Sequence, residues 1–337
     1  MIAINSPIVS ICIPTYNRST KVVNLVKDIL KYQSDEIEII VVDNCSSDDT
    51  EIKLKAIHDS RLKYSRNEEN IGGTINPIKA LTFANGHFAL LCLDKDRLDS
   101  QSISTLIDKL RKNSTVVYGH CSINITASSN DVVYEQGIDS LLNNAYLSEH
   151  PSGMFYKVSE LKKLSLIKDI LDKKEKFGFY MDLLNGEMAI KGKSLVINSP
   201  IIHTETQDDC ADVVSFSYDE SNLFFAPQQR IIEFNRYLNS INGLKLCTAD
   251  YYRLIKKVFT SGLVAATIGY KSIMANEKVC RHYNISPRTI GMRELINSGK
   301  LYLHNFFTKK IAIPYAGKLA IVAALPTRFL SKVTKIF

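Results

Sequence analysis

Acidic side chains end two apolar segments of this sequence, in a pattern that suits binding of a nucleoside and a cation. One apolar segment ends on Asp43, and a second ends on Asp94-Lys95-Asp96. A third, residues 8–13, runs into Pro14-Thr15-Tyr16. In open parallel sheets, ligands bind outside the carboxyl ends of the strands, and hard cations take oxygen ligands. The sequence therefore predicts a site for a ribonucleoside and a divalent metal at one edge of a sheet.

The elements that would position these side chains follow from the apolar and β-branched runs. Strands are predicted at residues 8–13, 38–43, 62–65, 87–93, 116–119, 195–197 and 201–202. Apolar residues at helical spacing predict helices between the first two strands, at 74–84, from Ser100 onward, at 159–171 and at 179–191. This alternation predicts an α/β fold, with a mainly parallel sheet covered by helices.

The pattern changes in the second half of the chain. Residues 204–213 are polar and acidic, which favours a loop or lid beside a site. From residue 222 to residue 300 the apolar spacing is helical almost throughout. The sequence predicts a catalytic α/β domain at 1–215, an all-helical appendage at 222–300, and a basic amphipathic tail at 301–337.

The composition is that of a soluble globular protein, with 45% hydrophobic and 23% charged residues in 337. The seven cysteines are scattered without a C-x-x-C pair, which argues for a reducing compartment and against a disulfide framework or structural zinc. The first residues lack the basic region of a signal peptide, and no run reaches the ~18 apolar residues of a spanning helix. We expect a cytoplasmic protein or one attached to a membrane from the cytoplasmic side.

The positive charge is concentrated at the end of the chain. Residues 300–337 hold seven basic residues and no acidic one, and the net charge of the whole chain is +7. Nucleic-acid binding would instead predict a basic patch on the folded body, so no nucleic-acid partner is expected. Residues 326–337 place apolar side chains on one helical face and basic ones on the other, which favours an anionic membrane surface. A terminal helix packed on the body is the alternative.

Four motifs together resemble the inverting family-2 glycosyltransferases, which have the GT-A fold. They are Ile13-Pro14-Thr15-Tyr16-Asn17-Arg18, Val41-Val42-Asp43-Asn44-Cys45-Ser46-Ser47-Asp48-Asp49-Thr50, Asn70-Ile71-Gly72-Gly73 and Asp94-Lys95-Asp96. Each motif is weak alone, but their order and spacing are specific. The resemblance covers the predicted α/β domain and fades after it.

The resemblance implies a binding site for a nucleotide-sugar donor, most simply a UDP-sugar. The implied donor contacts are Pro14, Thr15, Tyr16, Arg18, Asp43, Asn44, Asn70, Gly72, Gly73 and Asp94. Asp43 would contact the base, although turn-forming neighbours make a structural Asx turn the alternative. Gly72-Gly73 would open the helix at 74–84 and turn free backbone N–H groups toward the diphosphate.

The resemblance also implies a Mg²⁺ or Mn²⁺ ion held by the D-x-D motif. We expect Asp96 to hold the metal and Asp94 to reach the ribose, although the two roles stay open. Many family members carry a third aspartate where this chain has Arg97. His203 is a candidate further ligand, and a structural histidine is the alternative.

An inverting transfer needs a carboxylate on the acceptor side that takes the proton of the attacking hydroxyl. Asp182, within Phe179–Leu184, fits the place that the base has in the family, and Glu187 is the next candidate. An acidic residue at a helix start can also simply match the helix dipole.

The resemblance and the tail together imply an acceptor saccharide on a polyprenyl diphosphate, as in bacterial O-antigen or capsule synthesis, and leave a homodimer open. A sugar-nucleotide nucleotidyltransferase is the first rival, but the segment after the first strand has no glycine. A non-catalytic scaffold of a membrane glycan-assembly complex is the second rival, and Arg97 is its best support.

Overall fold

The computed structural model describes residues 6–123, 125, 129–173, 177–204 and 223–325. The chain divides into two compact units, Met1–Glu205 and Thr206–Phe337. The predicted lid from residue 205 to residue 213 and the amphipathic helix at 326–337 lie outside the described residues. So does the predicted boundary between 215 and 222.

The first unit is built on one eight-stranded sheet in the order β3-β2-β1-β4-β7-β5-β8-β6. Its strands are β1 Val9–Thr15, β2 Ile37–Asp43, β3 Leu62–Arg66, β4 Phe88–Leu91, β5 Tyr118–Ile123, β6 Val132–Tyr134, β7 Met154–Lys157 and β8 Ser194–Ile202. Its helices are α1 Ser19–Leu30, α2 Thr50–Lys55, α3 Asn76–Thr82, α4 Ser100–Lys112, α5 Ile138–Asn144, α6 Val158–Leu161, α7 Ser165–Lys173 and α8 Tyr180–Ala189.

The central strands are apolar because helices cover both faces of a parallel sheet. Every residue of β1, β2 and β4 is buried. The pairs β1/β2, β1/β4 and β2/β3 are parallel. In the β1/β2 register Thr15 lies beside Asp43, so polar residues meet at the carboxyl ends of both strands, as the sequence predicted.

The far half of the sheet differs from the prediction. β7, which the sequence analysis did not place, runs antiparallel between β4 and β5, so the sheet is mixed. The two short strands predicted at 195–197 and 201–202 are one strand, β8, which contains Pro200. β6 pairs with β8 only over residues 194–196, so the missing N–H of this proline breaks no bond to β6.

The described residues of the second unit, 223–325, form helices joined by short loops, as the apolar spacing predicted. They are α9 Pro227–Gly243, α10 Thr248–Val264, a π-helical turn Ala265–Gly269, α11 Tyr270–Met274, α12 Glu277–His282, α13 Met292–Thr308 and α14 Tyr315–Ala323. Phe259 stacks on Phe306 with ring centroids 4.1 Å apart. α13 continues through residue 300, where the sequence predicted the start of a separate tail. Within the described part of the chain, no helix combines the length and apolar character needed to cross a membrane.

Candidate nucleotide and metal site

The loops that follow β1 and β2 are hydrogen-bonded to each other. The backbone N–H of Asn17 donates to Oγ of Ser46 at 2.9 Å, and the N–H of Ser47 donates to Oδ1 of Asn17 at 2.7 Å. Asn17 has a φ of 51°, in the left-handed region that asparagine tolerates better than most residues. This turn holds the polar ends of the two strands together.

The Asp43 carboxylate is fully buried at the end of β2. Its Oδ1 accepts from the N–H of Ser46 at 2.9 Å and from the Ser46 hydroxyl at 2.5 Å. Its Oδ2 accepts from the Tyr64 hydroxyl at 2.8 Å and lies 3.6 Å from Nε of Arg66. Burial, followed by the bond to Asp43, raises the pKa of Tyr64. The bonds from Ser46 show that Asp43 makes the structural turn contact given above as the alternative. The contact of Asp43 with a base stays a prediction.

An asparagine network ties the end of β2 to residues 67–76. Oδ1 of Asn70 accepts from Nδ2 of Asn44 at 2.7 Å and from the N–H of Gly72 at 2.9 Å. Oδ1 of Asn44 accepts from Nδ2 of Asn67 at 3.0 Å. Asn44 and Asn70 are thus brought together, as a shared site requires.

Gly72-Gly73 stands at the start of a helix, as predicted, because the N–H of Asn76 donates to the carbonyl oxygen of Gly72 at 3.1 Å. α3 begins at Asn76, and the N–H of Gly72 is bonded to Asn70, so it is not one of the free N–H groups of a helix start. Gly72 has a φ of 93°, a conformation that glycine adopts without steric cost just before a helix, and the contact of N–H groups here with a diphosphate stays a prediction. Nothing lies within 4 Å of the position that a Gly72 side chain would take, so the backbone here borders open space.

Asp94 is buried and paired with residues of the first loop. Its Oδ2 accepts from the Thr15 hydroxyl at 2.8 Å, and its Oδ1 accepts from NH1 of Arg18 at 3.0 Å. Burial raises the pKa of Asp94, and the Arg18 charge opposes that effect. Three of the predicted donor contacts, Thr15, Arg18 and Asp94, therefore form one cluster.

Asp96 differs from Asp94 because one of its oxygens is unbonded. The Ser152 hydroxyl donates to Oδ2 of Asp96, and Nε2 of His150 lies 3.9 Å from the same oxygen. Oδ1 of Asp96 is buried and has no hydrogen-bond partner. A buried carboxylate oxygen without a partner is costly, and a bound cation would satisfy it.

No group of three His, Cys, Asp or Glu side chains converges on a metal position among the described residues. Mg²⁺ is commonly held by one or two carboxylates plus substrate phosphates and water, so Asp96 fits a metal that the donor diphosphate completes. His203 pairs through its backbone with Arg97, with N–O distances of 2.8 and 3.2 Å. The backbone at His203 is thus close to the loop that holds Asp94 and Asp96. The role of the His203 side chain as a ligand stays a prediction.

His150 and Ser152 are site residues that the sequence analysis missed. They stand in His150-Pro151-Ser152-Gly153, a polar stretch just before the apolar strand β7. That placement resembles the other motifs, since polar residues again flank a buried strand. Burial lowers the pKa of His150, and the Asp96 charge opposes that shift.

Asp182 lies in the first turn of α8 and is 2% exposed. Its carboxylate accepts from the N–H of Leu147 at 3.2 Å and from the N–H of Ser148 at 3.1 Å. It therefore anchors the loop that leads to His150 and Ser152, a role that the sequence did not predict. Burial raises the pKa of Glu187, the second candidate base. Which carboxylate acts as the base stays a prediction.

Comparisons with known proteins agree on one family. The model described as "Glycosyl transferase family 2" matches residues 10–158. A Campylobacter jejuni protein named GalNAc(5)-diNAcBac-PP-undecaprenol beta-1,3-glucosyltransferase is 29% identical over 74% of this chain and 81% of its own length. The Escherichia coli UDP-Glc:alpha-D-GlcNAc-diphosphoundecaprenol beta-1,3-glucosyltransferase WfgD is 30% identical over 34% of this chain and 46% of its own length.

A solved structure confirms the predicted fold class. Residues 1–349 of Staphylococcus aureus TarS superpose with a TM-score of 0.54, covering 91% of this chain and 94% of that one. The sequence identity is 15%, so this likeness concerns the fold alone. Together with the family match it confirms the α/β fold of GT-A type and the C-terminal helical region.

Proposed function

Residues 10–158 match the model of family-2 glycosyltransferases, and we propose that the chain is such an enzyme, which moves a sugar from a nucleotide-sugar donor to a hydroxyl of a lipid-linked oligosaccharide, with inversion. The observation that carries the proposal is the buried, unbonded Oδ1 of Asp96, beside the Thr15–Arg18–Asp94 cluster. The setting would be bacterial O-antigen or capsule synthesis, because the relatives named above act on undecaprenol diphosphate-linked acceptors.

The donor would be a UDP-sugar bound at the carboxyl ends of β1, β2 and β4. WfgD is named for UDP-glucose, and TarS has been solved in complex with UDP-GlcNAc, with a TM-score of 0.51 to this chain. Asp43 would accept from the base, Tyr16 would lie against its ring, and Asn44 and Asn70 would line the same side. Asp94 would reach the ribose.

A Mg²⁺ or Mn²⁺ ion would be held by Asp96, with His203 as a candidate second ligand. When bound, the cation would neutralise charge that develops on the departing nucleoside diphosphate. The protein's own part is to keep Oδ1 of Asp96 free and buried, while Arg18 offsets the charge of Asp94.

Asp182 would take the proton of the acceptor hydroxyl. In this step the acceptor oxygen forms a bond to the anomeric carbon, the bond from that carbon to the diphosphate breaks, and the proton goes to the Asp182 carboxylate. The position of Asp182 supports the proposal, because its anchored loop ends at Ser152 beside Asp96. Acid–base catalysis of this kind contributes roughly 10²–10⁴-fold.

The protein would work at the cytoplasmic face of the inner membrane, as a peripheral protein on an anionic surface. α14 exposes Tyr315 (65%) and Leu319 (48%) to solvent, and the exposed Lys309 and Lys310 precede it. A surface that is both basic and apolar suits anionic lipid. The sequence from residue 300 to residue 337 contains no acidic residue that would oppose this binding.

Calorimetric titration of the purified protein with UDP, with and without Mn²⁺, tests the metal-assisted donor site. We expect Mn²⁺ to tighten UDP binding in the wild type and to have no effect in Asp96→Asn. Donor binding by a non-catalytic scaffold would not be followed by sugar transfer, and a nucleotidyltransferase would release diphosphate from a nucleoside triphosphate. Either of those results would favour a rival function.

A further inference from the structure

Ser152 and His150 both lie next to Oδ2 of Asp96, while Oδ1 has no hydrogen-bond partner. The hydroxyl of Ser152 donates to Oδ2 of Asp96 and accepts from the N–H of Leu93 at 2.8 Å. Ser152 is 1% exposed, so water does not compete for its hydroxyl. It therefore bridges the carboxylate to the backbone that follows β4.

His150 reinforces the same side of the carboxylate. Its Nδ1 accepts from the N–H of Ser152 at 3.3 Å. Nε2 faces Oδ2 of Asp96 at 3.9 Å. His150 is therefore a neighbour of Oδ2, the oxygen that Ser152 also contacts.

We propose that Ser152 is a positioning residue: its hydroxyl fixes Oδ2 of Asp96, so that the buried Oδ1 stays free for a divalent cation. The inference rests on the proposed function, because it takes Asp96 as the cation ligand. Removing a partner that orients a metal-binding carboxylate commonly weakens metal affinity about 10–100-fold.

The segment Leu147–Ser152 gives the positioning a second anchor. At its start, the N–H groups of Leu147 and Ser148 donate to Asp182, and at its end Ser152 holds Asp96. Tyr146 and Ser148 have φ values of 54° and 55°, conformations that non-glycine residues adopt only when surrounding contacts impose them. The placement of Ser152 is therefore fixed by the fold and not by the hydroxyl bond alone.

The test is the dissociation constant of Mn²⁺, measured by electron paramagnetic resonance of free Mn²⁺ with saturating UDP. Ser152→Ala should weaken Mn²⁺ binding about 10-fold or more, while UDP binding without a cation stays unchanged. Ser152→Cys keeps the size and offers a weaker donor, so its loss should be smaller. Ser140→Ala is the matched control, since Ser140 is equally buried and its hydroxyl lies 2.6 Å from Oγ of Ser194.

The outcomes distinguish the positioning role of Ser152 from the metal site at Asp96. Wild-type Mn²⁺ affinity in Ser152→Ala, with Asp96→Asn defective, would overturn the positioning role and leave the metal site standing. Wild-type affinity in Asp96→Asn would overturn the metal site itself. If Ser152→Ala fails to fold, the comparison of Ser152→Cys with Ser140→Ala decides: equal Mn²⁺ affinities in those two would overturn the proposal.

Discussion

The guanidinium of Arg18 lies 3.0 Å from the Asp94 carboxylate, and it joins the loop after β1 to the loop after β4. Asp94 is 3% exposed by side chain and Arg18 is 32% exposed. A buried carboxylate next to a half-buried cation is not favourable for folding by itself. Its retention at the carboxyl ends of the strands fits a group kept for binding.

Replacing Asp94 should separate stability from function. Burial raises the pKa of Asp94 above its ordinary value of 3.8, so the folded protein binds its proton more tightly than the unfolded chain does. As the pH rises from 3.8 through the raised pKa of Asp94 in the folded protein, the wild type loses stability. Asp94→Asn should therefore be at least as stable as wild type at pH 7, with the difference shrinking as the pH falls toward 3.8. Chemical denaturation at several pH values measures this.

The same Asp94→Asn variant should lose donor affinity in calorimetry with UDP and Mn²⁺. Lys53→Gln is a suitable control, since its ion pair with Asp49 is exposed on α2. A destabilised Asp94→Asn whose stability deficit does not depend on pH would contradict this account.

Asp43→Ala should weaken UDP binding by about 1–3 kcal/mol, because a buried hydrogen bond to the base would be lost. The structure supplies a control: Tyr64→Phe removes only the hydroxyl that donates to Asp43. We expect Tyr64→Phe to bind UDP nearly as wild type does in calorimetry. Equal losses in the two variants would mean that Asp43 acts through its contact with Tyr64 and not through the base.

Asp182→Asn should lower sugar transfer by roughly 10²–10⁴-fold, because the amide cannot accept the proton of the acceptor. One amide oxygen remains to accept from Leu147 and Ser148, so the fold should persist. Rates of transfer and UDP affinity are measured on the same samples. If Glu187→Gln gives the larger loss of rate, the base is Glu187.

Deletion of residues 326–337, or the change Leu319→Glu on α14, should release the protein from anionic liposomes. A basic residue near such a surface contributes about 1 kcal/mol, and added salt should weaken the contact. Ile52→Glu is the matched control, because Ile52 is 75% exposed on α2 in the other unit. Co-sedimentation unaffected by salt and by all three changes would leave the packed-helix alternative.

The sequence predicted the parts of the fold whose burial is continuous. β1, β2 and β4 are buried along their whole length, so their apolar runs and the polar residues after them could be read directly. β7 could not, because a four-residue strand gives no sign of the direction in which it pairs. The mixed half of the sheet was missed for that reason.

The contacts within the candidate site could not be predicted from the sequence. Asp94 and Asp96 look alike in the sequence, and only their neighbours distinguish them: Thr15 and Arg18 satisfy Asp94, while Oδ1 of Asp96 is left unbonded. Ser152 reaches Asp96 from 56 residues away along the chain. Such pairing depends on tertiary packing, which local patterns do not encode.

Transfer from a panel of UDP-sugars to an undecaprenol diphosphate-linked saccharide, with the anomeric linkage read by NMR, tests the central claim most directly. The account predicts that an α-linked donor sugar appears in the product with a β linkage. It also predicts that product formation requires Mg²⁺ or Mn²⁺ and is lost in Asp96→Asn. An α linkage in the product, or equal transfer by Asp96→Asn without added metal, would contradict it.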